Sequence, residues 1–484
     1  MNNRKSNQST EVNIKKVILV CLSAFIFLTV SFYYLAGDQL KYRESRGNLS
    51  LPISDSITAE LSNGVVVEQH FSVKIQRLSS VSVQMETFYR DNSGLVTVSL
   101  LREDNGELLM SKSVDAADIS EGEQLTIAVE NPIETVCDVP LILRITGDSE
   151  PSHAVAPLMT KESDQDGFEL YIGDELVSGR LCFSAKGTDH IWTGIHYWTF
   201  VACFGAVLMA LSAVVLLRWK RGKRSYIINA LAAMKKYSFL IRQLVGRDFK
   251  TKYKRSVLGM FWSFLNPLLM MLVQYFVFST IFKSDIPYFA AYLIIGTVLF
   301  NFFSESCGMT LTSILGNAGL ISKVYMPKYI YPLTRTLSSV INLAISLIPM
   351  LAVCIITGVH LKRAAVLSVF FFVCLIIFCL GFGMILATSM VFFRDTQFLW
   401  NVLNIMWMYA TPIFYPETII PEYMRMILLI NPLYYLLKAV RMCILDGVSP
   451  EPRVYLQCLL IALGMLGVGA TVFYKNQDKF VLYL

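Results

Sequence analysis

The stretch from Arg247 to Leu272 constrains this chain more than any other; it reads RDFKTKYKRSVLGMFWSFLNPLLMML. A dense basic run ends at Arg255, and the chain then enters an uninterrupted apolar segment. A segment of that kind enters a bilayer, with its cation-rich side facing the cytoplasm. Just upstream, Tyr237, Ile241, Val245, Phe249, Tyr253 and Val257 recur every four positions, with Leu240 and Leu244 beside them. Arg242, Gln243, Arg247, Lys250, Lys252 and Lys254 fill the rest of the wheel. A helix divided in this way is expected to lie in the headgroup plane before the chain turns inward. A solvated juxtamembrane helix that only sets topology is the plainer alternative.

Of 484 residues, 54% are hydrophobic and 16% charged, whereas soluble chains carry about 25% charged residues. The formal charge of +6 hides two opposed blocks. Asp38 to Ile191 holds 26 acidic and 12 basic residues, a net of −14, and Arg218 to Arg255 holds 13 basic residues and one acid, Asp248. The acidic block belongs outside the cell and the basic loop inside, where anionic lipid attracts it. No basic run is interleaved with aromatics on a soluble surface, which excludes nucleic acid as an expected partner. Eight of ten cysteines lie in or beside apolar segments and read as small hydrophobes. Cys137 and Cys182 fall in the acidic block, where one disulfide and two free thiols are both open. No C-x-x-C pair is present, so no metal site is expected.

The expected fold is an α-helical integral membrane protein of eight spans with an inserted extracytoplasmic β-sandwich. After a cytoplasmic tail (1–16), residues 17–36 form an uncleaved anchor long enough to span the bilayer. Residues 37–191 show short alternating runs broken by Asn, Asp and Gly. Val65–Val67, Ser80–Phe88, Leu95–Leu101, Leu125–Val129 and Leu141–Ile145 read as strands. Asp91–Gly94 and Glu103–Gly106 read as hairpin turns. The regular spacing suggests a sandwich, similar in pattern to jelly-roll carbohydrate-binding domains. Phe88, Tyr89, Phe168 and Tyr171 are its candidates for stacking on sugar rings, with burial in the core the alternative.

Residues 192–217 return the chain inward, and 218–256 form a basic linker that includes the amphipathic segment. Six further spans are expected within 257–484: 257–282, 288–312, 331–357, 364–392, 398–414 and 454–474. Pro416, Pro421 and Pro432 interrupt 415–453, which reads as two short helices dipping into the outer leaflet.

No GxxxxGK[ST] run occurs in the sequence, so the chain carries no phosphate-cradling loop and no hydrolytic activity is expected of it. Between two spans, Asn317 to Pro327 places Leu320, Ile321, Val324 and Met326 in an inner loop, where exposed apolar residues mark a contact surface. Glu305 is the one carboxylate well inside an expected span, and such a group faces a cavity or a partner. Trp262, Phe264, Tyr275 and Phe278 on the first core span, and Trp400, Trp407 and Tyr409 on the fifth, offer aromatic faces suited to sugar rings; lipid-facing packing is the alternative for each. Arg394-Asp395 reads as an ion pair that anchors a helix end.

Five segments occur in order: the basic amphipathic helix, LGMFWSFLNPLL, NAGLISKVYMPKYIYPL, FFRDTQFLWNVLNIMWMYATPIFYP and LINPLYYLLKAVR. In that order they resemble the membrane subunit of type-2 ABC exporters for polysaccharide or teichoic acid, over roughly half the chain. The resemblance implies that Gly319, Leu320, Ile321, Lys323, Val324, Met326 and Pro327 couple to a separate ABC-type ATPase dimer. It implies an interface helix carrying Arg247, Asp248, Lys252, Tyr253 and Lys254, and an outer gate around Pro412, Phe414, Tyr415, Pro416, Asn431 and Pro432. It further implies a second copy of the chain, a lipid-linked glycan as cargo, ATP and Mg bound only by the partner, and a multi-pass location in the bacterial cytoplasmic membrane with the β-domain outside. A permease for a small drug or lipid, and a membrane-anchored glycan receptor, are the competing readings.

Overall fold

The computed structural model describes residues 14–45, 51–52, 54–62, 64–120, 122, 124–134, 136–161, 167–220, 234–252, 254, 256–280, 286–323, 326–421 and 425–483. Tyr253, Arg255 and Val324 therefore lie outside the described residues. The chain divides into two units, one comprising Met1–Leu40 with Tyr197–Leu484 and the other Lys41–His196.

The helical unit contains α1 (Ile14–Ala36), α2 (Tyr197–Lys220), α3 (Ser238–Lys252), α4 (Phe261–Thr280), α5 (Phe289–Leu311), α6 (Ile330–Ile356), α7 (Ser368–Phe392), α8 (Thr396–Ala410), α9 (Arg425–Ile430), α10 (Pro432–Arg441) and α11 (Pro452–Asn476). Among the described residues, seven helices are long and apolar enough to cross a membrane. The expected eighth crossing, at 398–414, corresponds to α8, which has 15 residues. At 1.5 Å per residue that is about 22 Å, short of a bilayer core of about 30 Å. Thr411 is extended and ends the helix.

Helix α7 is apolar all round, the pattern of a helix enclosed by others. It packs on α11 through two glycines. A Cβ on Gly469 would lie 2.0 Å from the Gly381 carbonyl oxygen, and one on Gly381 would lie 2.5 Å from the Leu466 backbone. Small residues let helix backbones approach in this way inside a bilayer. The pair α1 and α2 is held by rings: Phe25 against Phe204 at 5.8 Å and Tyr33 against Trp198 at 5.1 Å. The Tyr197 hydroxyl also donates to the Thr29 carbonyl at 2.8 Å. At the foot of α1, the Gln39 side chain accepts from the Ser449 amide at 2.7 Å.

The four-residue periodicity upstream of α4 runs on to Val257, but α3 ends at Lys252. Gly259 at φ +51 and the Ser256 hydroxyl, which accepts from the Gly259 amide at 3.1 Å, turn the chain before α4 begins. Trp192, expected to open the second crossing, lies instead in a separate single turn, Trp192–Ile195.

The second unit is a two-sheet sandwich. One sheet runs Tyr42–Ser45, Phe183–His190, Arg77–Glu86, Ala156–Thr160, Arg180–Leu181, with Gln124–Glu134 also on Arg77–Glu86 and Ser56–Ile57 on Ala156–Thr160. The other runs Glu175–Val177, Glu169–Ile172, Val66–Ser72, Pro140–Gly147, Leu95–Arg102, Leu108–Asp115. Alternating residues such as Val67, Phe71, Val81, Val83, Leu143 and Ile145 close the core between them. Glu103–Gly106 joins paired strands as expected. Asp91–Gly94 does not form a hairpin, because the strands it joins belong to different sheets. Cys137 and Cys182 are both free; burial pushes the Cys182 thiol up to about 11, while Cys137 is exposed.

Replacing Gly469 by Val drives a branched side chain into the α7 backbone. Overpacking of this kind costs about 1–3 kcal/mol. Fluorescence-detected size exclusion after a heat challenge is expected to show a clear loss of the folded peak.

Candidate functional site

The site has two ends joined by α5, whose 23 residues span about 34 Å. At the basic end, α3 does not simply float beside the bundle. Leu244 and Asp248 are buried on one face of it, and the Ser338 hydroxyl of α6 donates to the Val245 carbonyl at 3.4 Å. The Asp248 carboxylate sits between two guanidinium groups, Arg247 at 3.0 Å and Arg335 of α6 at 3.3 Å. Arg247 also donates to the Asn317 side-chain oxygen at 2.9 Å, and Asn317 donates to the Ser313 carbonyl at 2.7 Å. A carboxylate this buried is stable only because cations meet it. The cluster fastens three elements together: α3, the start of α6 and the loop after α5.

That loop is a turn of 3-10 helix, Leu315–Asn317, followed by one α-turn, Ala318–Ile321. The expected exposed apolar set is corrected here. Met326 is buried, and Leu320 and Ile321 are half-buried against a cluster that includes Leu244, Ile330, Tyr331 and Phe480. The exposed part of the loop is Gly316, Gly319, Ser322 and Lys323, with Pro327 half-buried.

Glu305 does not stand as a lone acid in a channel. It receives Lys252 Nζ at 2.8 Å from α3 and the Asn342 side-chain amide from α6. The Ser263 hydroxyl on α4 in turn donates to Asn342 at 3.3 Å. One polar chain thus ties α3, α4, α5 and α6. Lys254, further on, is exposed in the turn after α3.

The aromatic candidates divide. Trp262, Tyr275 and Tyr409 are exposed on α4 and α8. Phe264 is half-buried, with its ring stacked 5.3 Å from Phe261. Phe278 stacks on Phe414 at 5.5 Å. Trp400, 4% exposed, is core rather than lining and meets Phe303 edge-on at 5.8 Å. Trp407 packs against Phe303 and Phe382, and its indole N–H donates to Asn431 at 2.8 Å.

Asn431 organises the opposite end. It caps α10 by accepting from the Leu433 amide at 3.0 Å, with Pro432 at the first turn where its missing N–H costs nothing. Its amide donates to Thr411 Oγ1 at 2.8 Å and to the Ala410 carbonyl at 3.2 Å. Pro412 and Phe414 are buried; Tyr415 and Pro416 are half-buried. The Tyr415 carbonyl accepts from Tyr292 at 2.8 Å. Arg441, at the end of α10, donates to the carbonyls of Pro412 at 2.6 Å, Ile413 at 2.9 Å and Tyr292 at 3.1 Å, and its guanidinium lies 3.4 Å from the Tyr292 ring centre. Gly296 makes room for it, since a Cβ there would sit 2.9 Å from Arg441 Nη2.

Sequence reasoning named Asp248 and Pro412 but missed the cations that meet them, Arg335 and Arg441. The signal was present, because a cation within an apolar helix is as informative as an acid, but the reading weighed only carboxylates. In the sandwich, Tyr89 is 88% exposed, whereas Phe88, Phe168 and Tyr171 are half-buried. The Tyr171 hydroxyl donates to Glu169, which raises its pKa.

Long apolar helices, a short broken helix pair opposite a basic end, and an appended sandwich define a multi-span membrane protein. Residues 240–445 match the family described as ABC-2 type transporter. The chain is 28% identical over 256 residues to the O-antigen export system permease protein RfbA of Myxococcus xanthus, covering 52% of this chain and 98% of that one. It is also 28% identical over 243 residues to the protein of that name from Klebsiella pneumoniae, covering 50% and 93%. Over that region the chain is similar to ABC-2 type transporter membrane proteins, and it is a multi-pass protein of the bacterial inner membrane.

Asp248→Ala leaves Arg335 without its carboxylate. The variant is expected to insert normally but to expose α3 to trypsin several-fold faster than wild type in membrane vesicles. Asp248→Ala combined with Arg335→Leu is expected to recover part of that protection. Gly296→Val, at the other end, displaces Arg441. Cysteine pairs across α10 and Thr411 are then expected to cross-link less efficiently than in the wild-type background.

Proposed function

We propose that this chain is the permease subunit of an ATP-driven exporter that moves a lipid-linked polysaccharide of the O-antigen or teichoic-acid type out across the inner membrane. The observation that carries the reading is the joint between α3 and the loop after α5. Arg247, Asp248, Arg335 and Asn317 lock the two together while Gly316, Gly319, Ser322 and Lys323 remain open. A stiff, polar-tipped element of this kind suits contact with a separate nucleotide-hydrolysing subunit, and Lys323 would meet an acidic cleft. ATP and Mg would be held there, not by this chain.

Two copies would enclose the path. Helices α4 and α8 carry the large exposed rings Trp262, Tyr275, Phe276, Phe398 and Tyr409, and their flat faces suit a moving sugar polymer. The lipid-linked end would enter beside α3, drawn by its cations. The family relatives are named as O-antigen export permeases, which favours polymer over a small drug or lipid. The acidic sandwich would sit outside, where net charge does not prevent translocation of a long domain.

The test uses the exposed loop residues, because Leu320 and Ile321 also pack on their own chain. Lys323→Glu and Gly319→Trp are expected to reach the membrane at wild-type levels and to abolish surface polysaccharide. Normal surface polysaccharide in both variants would overturn the coupling assignment.

A further inference from the structure

The gate encloses a cavity of about 420 Å³, within the range of about 300–1,000 Å³ for small-molecule sites. Arg441 and Tyr434 lie buried in it, while Tyr288 and Asp446 are exposed at its edge. Glu417 crosses it, accepting from the Tyr434 hydroxyl at 2.9 Å and from Lys438 Nζ at 2.8 Å.

Three features are unexplained by the gate's own architecture. Tyr288 adopts φ +52, ψ +43, a left-handed conformation that bulky residues rarely take. Its ring lines the cavity, yet among the described residues its side chain has no hydrogen-bond or ring partner. Asp446 is exposed and has no ion-pair partner among the described residues. Arg441 Nε is buried without an acceptor, although the other two nitrogens of the guanidinium are engaged.

The lining narrows the ligand. Arg441 and Lys438 are balanced by Glu417 and Asp446, so a bare phosphate would face two carboxylates. The cavity offers donors and acceptors together with the rings of Tyr288 and Tyr434 in its lining and apolar contact from Pro287, Pro412 and Leu437. Rings for C–H faces and mixed polar groups for hydroxyls are what a neutral polyol requires.

We propose that this cavity binds one uncharged sugar residue of the polymer as it leaves the gate. The proposal rests on the polysaccharide-export reading above. Held there, a sugar would engage α10, the Pro412–Glu417 segment and the start of α5 at once. The cavity would then act as a foothold that keeps the emerging polymer from slipping back.

The test uses the full-length protein in lipid nanodiscs. The probe is a set of repeat-unit oligosaccharides, cut by partial hydrolysis from the surface polysaccharide of the strain carrying the gene, titrated by calorimetry. Wild type is expected to bind saturably. Asp446→Asn and Tyr288→Gly are each expected to bind about tenfold more weakly or worse, a loss of about 1.4 kcal/mol. Glycine takes positive φ without strain, so Tyr288→Gly should melt at or above the wild-type temperature, which separates lost binding from lost folding. Inorganic phosphate should not compete.

Equal binding by wild type and both variants would overturn the site, as would competition by phosphate. Absence of binding in wild type, in cells that lose surface polysaccharide when the gene is deleted, would overturn the site and leave the export reading standing. Unchanged surface polysaccharide after deletion would overturn the export reading and the site with it.

Discussion

Asp248 is the residue on which the basic end depends. It is 4% exposed on its side chain and meets guanidinium groups from its own helix and from α6. Burying a charge from water costs several kcal/mol per ion before any partner is counted. The position is tolerable only because Arg247 and Arg335 both reach it and because the Asn317 side-chain oxygen accepts a further hydrogen bond from Arg247. The result is a rigid corner in a region where basic residues alone would repel. It converts a basic amphipathic helix into a bracket on the loop after α5.

The segment around Thr411 and Arg441, at the other end of α5, meets the opposite problem, a buried cation, with a different solution. Arg441 lacks a carboxylate within ion-pair distance among the described residues and is held by three carbonyls and one tyrosine face. Two of those carbonyls, of Pro412 and Ile413, are free because the chain breaks after α8 and leaves oxygens that a continuing helix would have used internally; the third, of Tyr292, lies in the first turn of α5. Broken backbone in a membrane protein must find partners in protein or water; here Arg441 takes the Pro412 and Ile413 carbonyls, while Tyr415 and Asn431 take those of Tyr409 and Ala410. The shortness of α8 and the burial of Arg441 are two sides of one arrangement. Helix α5 runs from this arrangement to the Asp248 corner, so a shift of either end has a stiff element through which to reach the other.

Much of this was legible in the sequence. The long apolar runs fixed seven crossings within a few residues, because a bilayer demands length and continuity that nothing else in the chain imitates. The strands at Leu95–Arg102 and Pro140–Gly147 followed from alternation. Other features needed coordinates. The period runs on to Val257, but α3 ends at Lys252 and the chain turns at Gly259 before the next helix begins. Trp400 and Trp407 looked like lining residues, but they turn toward Phe303 and Phe382, since helical spacing gives a face and not its neighbour. Glu305 was recognised as costly in a span, but its partner Lys252 lies 53 positions away and the sequence carries no register between them. The strained Tyr288 left no sequence trace, because left-handed backbone is announced by Gly or Asn and not by an aromatic ring.

The most direct measurement places a photo-crosslinking amino acid at Lys323 in the full-length protein in native membranes. The account predicts capture of an ABC-type ATPase, identified by mass spectrometry, and loss of that product when Asp248 is replaced by Ala. Capture of lipid or of a second copy of this chain alone, with the ATPase left unlabelled, would contradict it.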